Sequence, residues 1–287
     1  MAKTHKRRSH FHRAGIVAKP HGRVQLYLRR TLLKLRQLGV EAVLEKSAAG
    51  LLRLKDGVER ERLAADCDIL VVLGGDGTFL SVAKSAVEAE IPIAGFNLGS
   101  LGFLTEMKKE CLEENLEEIF SGRARISERK LLAVRHRKNC DLALNDVVIS
   151  KGQIARIVNL SLEIEGSRIT EIKGDGVIIA TPTGSTAYSL SAGGPIVSPD
   201  VNGVIITPIC PHSLTYRPLI VPDTSLLIVQ LKTPNIDTYM TIDGQRLVPF
   251  HYQDRIEVCI HSKRLFMVVS PQVSYFKLLS EKLNWGV

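Results

Sequence analysis

The chain has 287 residues, 45% hydrophobic and 24% charged, a balance that permits a full buried core and excludes a chain that is disordered or collagen-like throughout. Its net charge is +8, but Lys3, Lys6, Arg7, Arg8 and Arg13 stand in the first thirteen residues with no acid among them, so the remainder is only slightly basic and a nucleic-acid partner is not expected. Five cysteines (Cys67, Cys111, Cys140, Cys210, Cys259) lack zinc or redox spacing, and no apolar run reaches the roughly eighteen residues of a membrane span, which points to reduced thiols in a cytoplasmic protein with no membrane partner.

Residues 1–14 read as a basic, flexible tail. The apolar run behind it, Ala14 to Ala18, is too short for a secretory signal and meets Lys19 and Pro20. GIVAK then reads as a strand and His21-Gly22 as a turn. Leu26, Leu32, Leu33, Leu35 and Leu38 form the apolar stripe of a helix that ends at Gly39. CDILVVL is a second buried strand, Phe79 to Glu88 a helix, and IPIAGFN a third strand. Strands alternating with helices predict a doubly wound α/β domain over residues 15–125. After Arg125 the short runs LLAVRH, DVVIS, IVNLSLEIEG, GVIIA, VIITPI, SLLIVQL, RIEVCI and RLFMVVS predict a second, predominantly β domain over 126–269. Its helical signal is confined to Thr186 through about Ala192. Tyr275, Phe276, Leu279, Leu283 and Trp285 recur at roughly helical intervals, so residues 270–287 are expected to form a C-terminal helix that returns to the first domain. The fold class is therefore α/β plus β-rich.

Gly74-Gly75-Asp76-Gly77-Thr78 follows the strand ILVVL and opens a helix. Glycines let backbone N–H groups approach phosphate oxygens, and the helix N-terminus adds partial positive charge. A carboxylate repels phosphate, so Asp76 needs another task, such as accepting a proton from an attacking hydroxyl or holding magnesium. A turn with an acid at a helix cap is the plainer alternative. There is no G-x-x-x-x-G-K-[ST], no G-x-G-x-x-G after the first strand and no G-x-S-x-G, so a P-loop ATPase, an ordinary dehydrogenase and a serine hydrolase lack their turns. A second glycine turn, Asn97 to Leu104, follows the next strand. Asn145-Asp146 starts another strand, and Gly174-Asp175-Gly176 precedes the strand that runs into TPTGSTAYSLSAGGP. The dense hydroxyls of that segment suit helix capping or the edges of a base and ribose, with Tyr188 as an aromatic wall. His212 and Arg217 could reach a phosphate but fit a structural role as well. His5, His10 and His12 lie in the basic tail, where a dedicated metal site is not expected.

Taken together, GGDGT after a strand, NLGSLGFL, the ND dipeptide, GDG, TPTGSTAYSLSAGGPI and PHSLTYRP resemble the bacterial NAD kinase family, in order from residue 74 to 218. GGDGT alone also occurs in diacylglycerol and sphingosine kinases; the long TPTGSTAYS segment makes the resemblance specific. It implies phosphorylation of the 2′-hydroxyl of the adenosine ribose of NAD by ATP with a divalent cation, magnesium for preference, to give NADP and ADP. It implies Asp76 as general base, with Gly77 touching the dinucleotide and Gly74, Gly75, Gly77 and Thr78 as the phosphate loop. Asn145 and Asp146 would hold ribose and adenine. Asp175 would meet the nicotinamide end, and Thr186, Ala187, Tyr188, Ser189, Leu190 and Ser191 would wrap the adenine and ribose. Arg156, Lys173 and Gln245 match by position, and no direct protein ligand is assigned to the metal. Homodimers or homotetramers are implied. The alternatives are a lipid or polyol kinase sharing the GGDGT loop and a non-catalytic dinucleotide sensor.

Overall fold

The structure, a computed structural model, describes residues 11–20, 23–152, 156–270 and 274–285. The chain divides into two compact units, Met1–Glu128 with Leu265–Val287, and Arg129–Arg264. Among the described residues no helix is long and apolar enough to cross a membrane.

In the first unit the elements run β1 (Arg13–Ala18), α1 (Val24–Gln37), β2 (Glu41–Leu44), α2 (Lys46–Leu51), α3 (Arg60–Leu63), β3 (Ile69–Gly74), α4 (Asp76–Ala89), β4 (Ile93–Asn97), β5 (Met107–Lys108), α5 (Leu112–Phe120) and β6 (Arg125–Arg129). The sheet order is β2-β1-β3-β4. The segment Leu265–Val269 comes back beyond β4 to lie between it and β6, and β5 also pairs with β4. Strand β1 runs parallel to both β2 and β3, and β4 runs parallel to both β3 and the segment Leu265–Val269. Ile69 through Leu73 are all buried, which is why β3 reads as an unbroken apolar run: a central strand of a parallel sheet is covered on both faces. The strand order reverses between β1 and β3, and β3 delivers Gly74 and Gly75 at its carboxyl end, the end at which open α/β sheets take ligands.

Helix α1 buries Val24, Leu28, Thr31 and Leu35, spaced four, three and four, whereas Leu26 and Leu33 of the expected stripe are 48% and 60% exposed. The helical period puts those two leucines on the opposite face, a distinction lost among six leucines in thirteen residues. Gly39 adopts φ +69°, with its N–H on the Arg36 carbonyl and the Val40 N–H on that of Leu35, so the helix stops where glycine allows a left-handed residue. Phe11 is buried edge-on against Phe120, and β1 already starts at Arg13. Residues 11–14 therefore belong to the fold and not to the tail; residues 1–10 lie outside the described set.

The second unit carries β7 (Leu132–His136), β8 (Asn139–Ala143), β9 (Asp146–Lys151), β10 (Val158–Ile164), β11 (Ser167–Gly174), β12 (Gly176–Ala180), α6 (Tyr188–Ser191), β13 (Gly203–Ile209), β14 (Leu219–Pro222), β15 (Leu227–Leu231), β16 (Thr238–Ile242), β17 (Arg246–Pro249) and β18 (Arg255–Ile260). They form two six-stranded antiparallel sheets, β11-β10-β15-β18-β7-β8 and β14-β13-β12-β9-β16-β17. Val134, Leu160, Val229 and Val258 of the first meet Val147, Ile149, Val177, Ile179 and Ile206 of the second in one core. The second sheet is covered on its other face too, where Val148, Ile178, Ala180, Ile205 and Ile209 pack with Val197. Two-sided burial explains the continuous runs of β12 and β13, beside the alternation of β15.

The strand Leu265–Val269, β19, grouped by its texture with the β-rich part, is the strand that completes the first sheet, parallel to β4. Helix α7 (Tyr275–Leu283) follows it. It buries Leu278 and Leu279 and leaves Phe276 and Trp285 exposed, while Lys282 sits over the Phe103 ring. The helix thus returns to the first unit as expected, with a different buried face.

Candidate active site

Asp76 is the first residue of α4, after Gly75 as N-cap, so its negative charge lies at the positive end of the helix dipole. Its carboxylate is surrounded by donors from the glycine turn that follows β4. Oδ2 accepts from Phe103 N at 2.9 Å. Oδ1 accepts from Leu104 N at 3.1 Å, Thr105 N at 2.9 Å and Thr105 Oγ1 at 2.9 Å. A Cβ at Gly102 would collide with Asp76 Oδ1, so the turn can close around the carboxylate only with glycine there. The two glycine turns read from the sequence are in this way joined into one structure by Asp76.

The residues expected to form a phosphate loop divide into two kinds. Gly75 and Gly77 are exposed, and a Cβ at either would meet nothing within 4 Å, which leaves space for a bulky anion against their backbone. Gly74 packs against the side chain of Thr78, which is buried, so these two support the loop from beneath. A cavity of about 140 Å³ bounded by Asn97, Gly99, Leu101, Lys108, Lys109 and Glu110 opens beside the second glycine turn.

In the second unit Asn145 and Asp146 stand at the start of β9. Asp243, in the turn after β16, accepts from Leu144 N at 2.8 Å, Asn145 N at 2.7 Å and Asp146 N at 3.1 Å, and its own N–H returns to the Asp146 carbonyl. Asp146 is 4% exposed. Burial, with the neighbouring Asp243 carboxylate, pushes its carboxyl up to about 7. Burial raises Asp243 as well, opposed by its three backbone N–H donors. From the other side, the Asn145 carbonyl accepts from Thr181 N, Thr181 Oγ1 donates to the Leu144 carbonyl, and Gly184 lies so close that a Cβ would strike the Asn145 carbonyl.

The TPTGSTAYS segment leaves β12 at the same end. Thr186, Ala187 and Leu190 are half-buried, and Tyr188 and Ser191 are exposed. Ser189 is fully buried with its hydroxyl on Thr207 Oγ1 at 2.8 Å, so its side chain faces the interior. Gln245 is exposed in the turn beside Asp243. The remaining candidates lie elsewhere. Asp175 meets Lys151 Nζ at 2.7 Å at the far end of β9, five residues and roughly 17 Å from Asp146. Lys173 is exposed at the end of β11, and its carbonyl accepts from His212 N. Arg156 is exposed two residues before β10, whose Val158 pairs with Gly174. Within one unit, then, the Asn145-Asp146 turn adjoins Gly184 and Asp243, the near sequence neighbours of residues 186–191 and Gln245, while Lys173 and Asp175 flank Gly174, which pairs with Val158 two residues after Arg156. The Arg217 guanidinium is occupied by the carbonyls of Leu214 and Tyr216.

Residues 23–124 match the ATP-NAD kinase N-terminal domain, and residues 144–270 match the ATP-NAD kinase C-terminal domain. The chain belongs to the NAD kinase family. An NAD kinase of Solibacter usitatus is 41% identical over 280 residues, 95% of this chain and 97% of that protein. One of Aquifex aeolicus is 43% identical over 228 residues, 77% and 82% of the two chains. Among solved structures, yeast NADH kinase complexed with NADH superposes with a TM-score of 0.87 at 28% identity, covering 96% of this chain and 88% of that one. An NAD kinase from Archaeoglobus fulgidus in complex with ATP gives 0.79 at 26% identity, covering 95% and 98%. The match to NAD kinases over both units sets aside the lipid-kinase alternative that GGDGT alone left open.

One residue in each unit that supports a sequence-predicted one escaped the sequence. Asp243 stands in the IDGQR stretch that drew attention only to Gln245, and Thr105 is the residue directly after the NLGSLGFL turn. Their signal was a polar residue next to a recognised one. Only the fold shows that each points back at a carboxylate or its backbone.

Proposed function

We propose that this NAD kinase family member transfers a phosphoryl group from ATP to the 2′-hydroxyl of the adenosine ribose of NAD, giving NADP and ADP, with Asp76 as general base. The observation that carries the reading is the Gly75-Asp76-Gly77 loop: open backbone on both sides of a fixed carboxylate, at the carboxyl end of a parallel strand. A ribose hydroxyl is a weak nucleophile, and phosphoryl transfer depends chiefly on positioning and charge neutralisation. Asp76 takes the hydroxyl proton, while Gly75 and Gly77 admit phosphate oxygens to the main chain. Asn145 and Asp146 hold the ribose and adenine, and the surface of residues 186–191 with Gln245 completes the adenosine site. Since the Ser189 hydroxyl is committed to Thr207, its share in binding falls to its backbone. Arg156, Lys173 and Asp175 belong to the nicotinamide end.

Among the described residues no three His, Cys, Asp or Glu side chains are grouped to cage a metal. A divalent cation, magnesium for preference, fits as a companion of the donor phosphates, whose charge it neutralises. The reading includes a cytoplasmic location and a homodimer or homotetramer. The exposed Leu219 and Ile220 on edge strand β14 and Leu247 on edge strand β17 support self-association. The test offers ATP and magnesium with NAD, with diacylglycerol or with no acceptor, and detects NADP by a dehydrogenase specific for it. Catalytic formation of NADP only with NAD supports the reading; binding of NAD without NADP reduces the chain to a sensor.

A further inference from the structure

We propose that Thr105 is a positioning residue that holds the Asp76 carboxylate so that Oδ2, and not Oδ1, meets the acceptor hydroxyl. The inference rests on the reading of Asp76 as general base.

Thr105 and Asn97 are buried, at 0% and 5% exposure, and a buried hydroxyl or amide is costly unless its hydrogen bonds are made. Here they are made in one direction only. The Gly99 N–H donates to Asn97 Oδ1 at 2.7 Å, which fixes the amide with Nδ2 toward Thr105. Asn97 Nδ2 donates to Thr105 Oγ1 at 2.9 Å, and an NH₂ group can only donate. The Thr105 proton is therefore directed to Asp76 Oδ1, an acceptor, 2.9 Å away. Oδ1, with this bond and two backbone N–H donors, is filled. Oδ2 has the single donor Phe103 N and keeps an acceptor position for the substrate. Without the hydroxyl, the carboxylate loses its one side-chain bond, and its two oxygens then differ by a single backbone donor.

The test is a double-mutant cycle of Thr105→Val and Asp76→Asn, with Thr105→Ser as the conservative variant and thermal melts confirming the fold. Thr105→Val is expected to lower kcat about 10- to 100-fold, the scale of a misplaced reacting group, with KM for NAD within about twofold. Thr105→Ser, which keeps the hydroxyl, restores most of the turnover. In the Asp76→Asn background Thr105→Val removes nothing further, because Thr105 acts only through Asp76. Equal fold losses in both backgrounds, or a Thr105→Ser variant as poor as Thr105→Val, overturn the positioning role, as does an unchanged kcat for Thr105→Val. If Thr105→Val does not fold, Thr105→Ala, which removes the same hydroxyl without placing a new methyl group beside Asn97, provides the same test, and unchanged turnover refutes the positioning role. Near-normal turnover of Asp76→Asn alone defeats the general-base reading itself, a result distinct from any Thr105 outcome.

Discussion

Asp76 and Asp146 are both aspartates at the end of a buried strand, and the protein treats them in opposite ways. Asp76 is half-buried and receives four hydrogen bonds, three from consecutive backbone N–H groups and one from Thr105. Asp146 is nearly inaccessible and has a second carboxyl group, Asp243, for a neighbour. Donors around a carboxylate fix its orientation. Burial beside a like charge makes a carboxyl that takes up a proton near neutrality and can then donate. The same residue type thus acquires two chemistries, which suit proton acceptance in one unit and recognition of a polar edge in the other.

The largest test of this contrast is Asp76→Asn. It should lower turnover roughly 10²- to 10⁴-fold, the span for loss of a general base, while calorimetry finds NAD affinity little changed. If NAD affinity collapses along with turnover, the division between an acceptor carboxylate and a recognition carboxyl is lost.

The next effect is on stability and has a definite sign. With its carboxyl raised from 3.8 to about 7, the folded chain holds a proton at Asp146 that the unfolded chain releases. The stability from this group is full below about pH 4, declines from there to pH 7, and is gone above it. The span amounts to a few kcal/mol. Asp146→Asn should therefore flatten the pH dependence: relative to the wild type it gains stability at pH 8 compared with pH 5 in urea titrations. Parallel curves for the two proteins would show that the buried pair does not titrate as described. Gly184→Ala comes third. Its Cβ meets the Asn145 carbonyl, so either the TPTGS turn or the 144–146 backbone must move, at a cost of about 1–3 kcal/mol in folding. Expected with it is weaker NAD binding and a kcat changed much less, since Asp76 is untouched. A loss confined to kcat would contradict that separation.

The contrast also shows what the sequence could convey. Runs buried on both faces, such as ILVVL and GVIIA, were legible because burial leaves no polar residue in them. The residues of GGDG, ND and TPTGS were legible because short motifs carry them. The stretch from Glu41 to Leu63, which holds a four-residue strand and two short helices, had no period long enough to read. The strand Leu265–Val269 was legible as a strand but not in its sheet, because pairing with Ile93 and Ala94 is a long-range property that its own residues do not encode. The same holds for the residues that support Asp76 and Asp146. Thr105 and Asp243 act through partners 29 and 97 to 99 positions away. Ser189, by contrast, looked available as a hydroxyl and is consumed by Thr207.

Tyr188 sharpens the recognition side with the smallest effect. It is 46% exposed on α6, in a segment where the hydroxyls of Ser185 and Ser189 are buried and bonded within the protein. If its ring serves as a wall for the adenine, the contribution is that of base-aromatic contact at a partly wet surface, about 1 kcal/mol. Tyr188→Ala should then raise the Kd for NAD roughly fivefold, and Tyr188→Phe, which keeps the ring, should leave it unchanged. Equal losses for Ala and Phe would assign the effect to the phenolic hydroxyl, making Tyr188 a polar contact of the same kind as Asn145. An NAD affinity untouched by either substitution would remove the Tyr188 side chain from the adenosine site and leave more of its recognition to the Asn145-Asp146 turn, which Asp243 and Gly184 hold from its two sides.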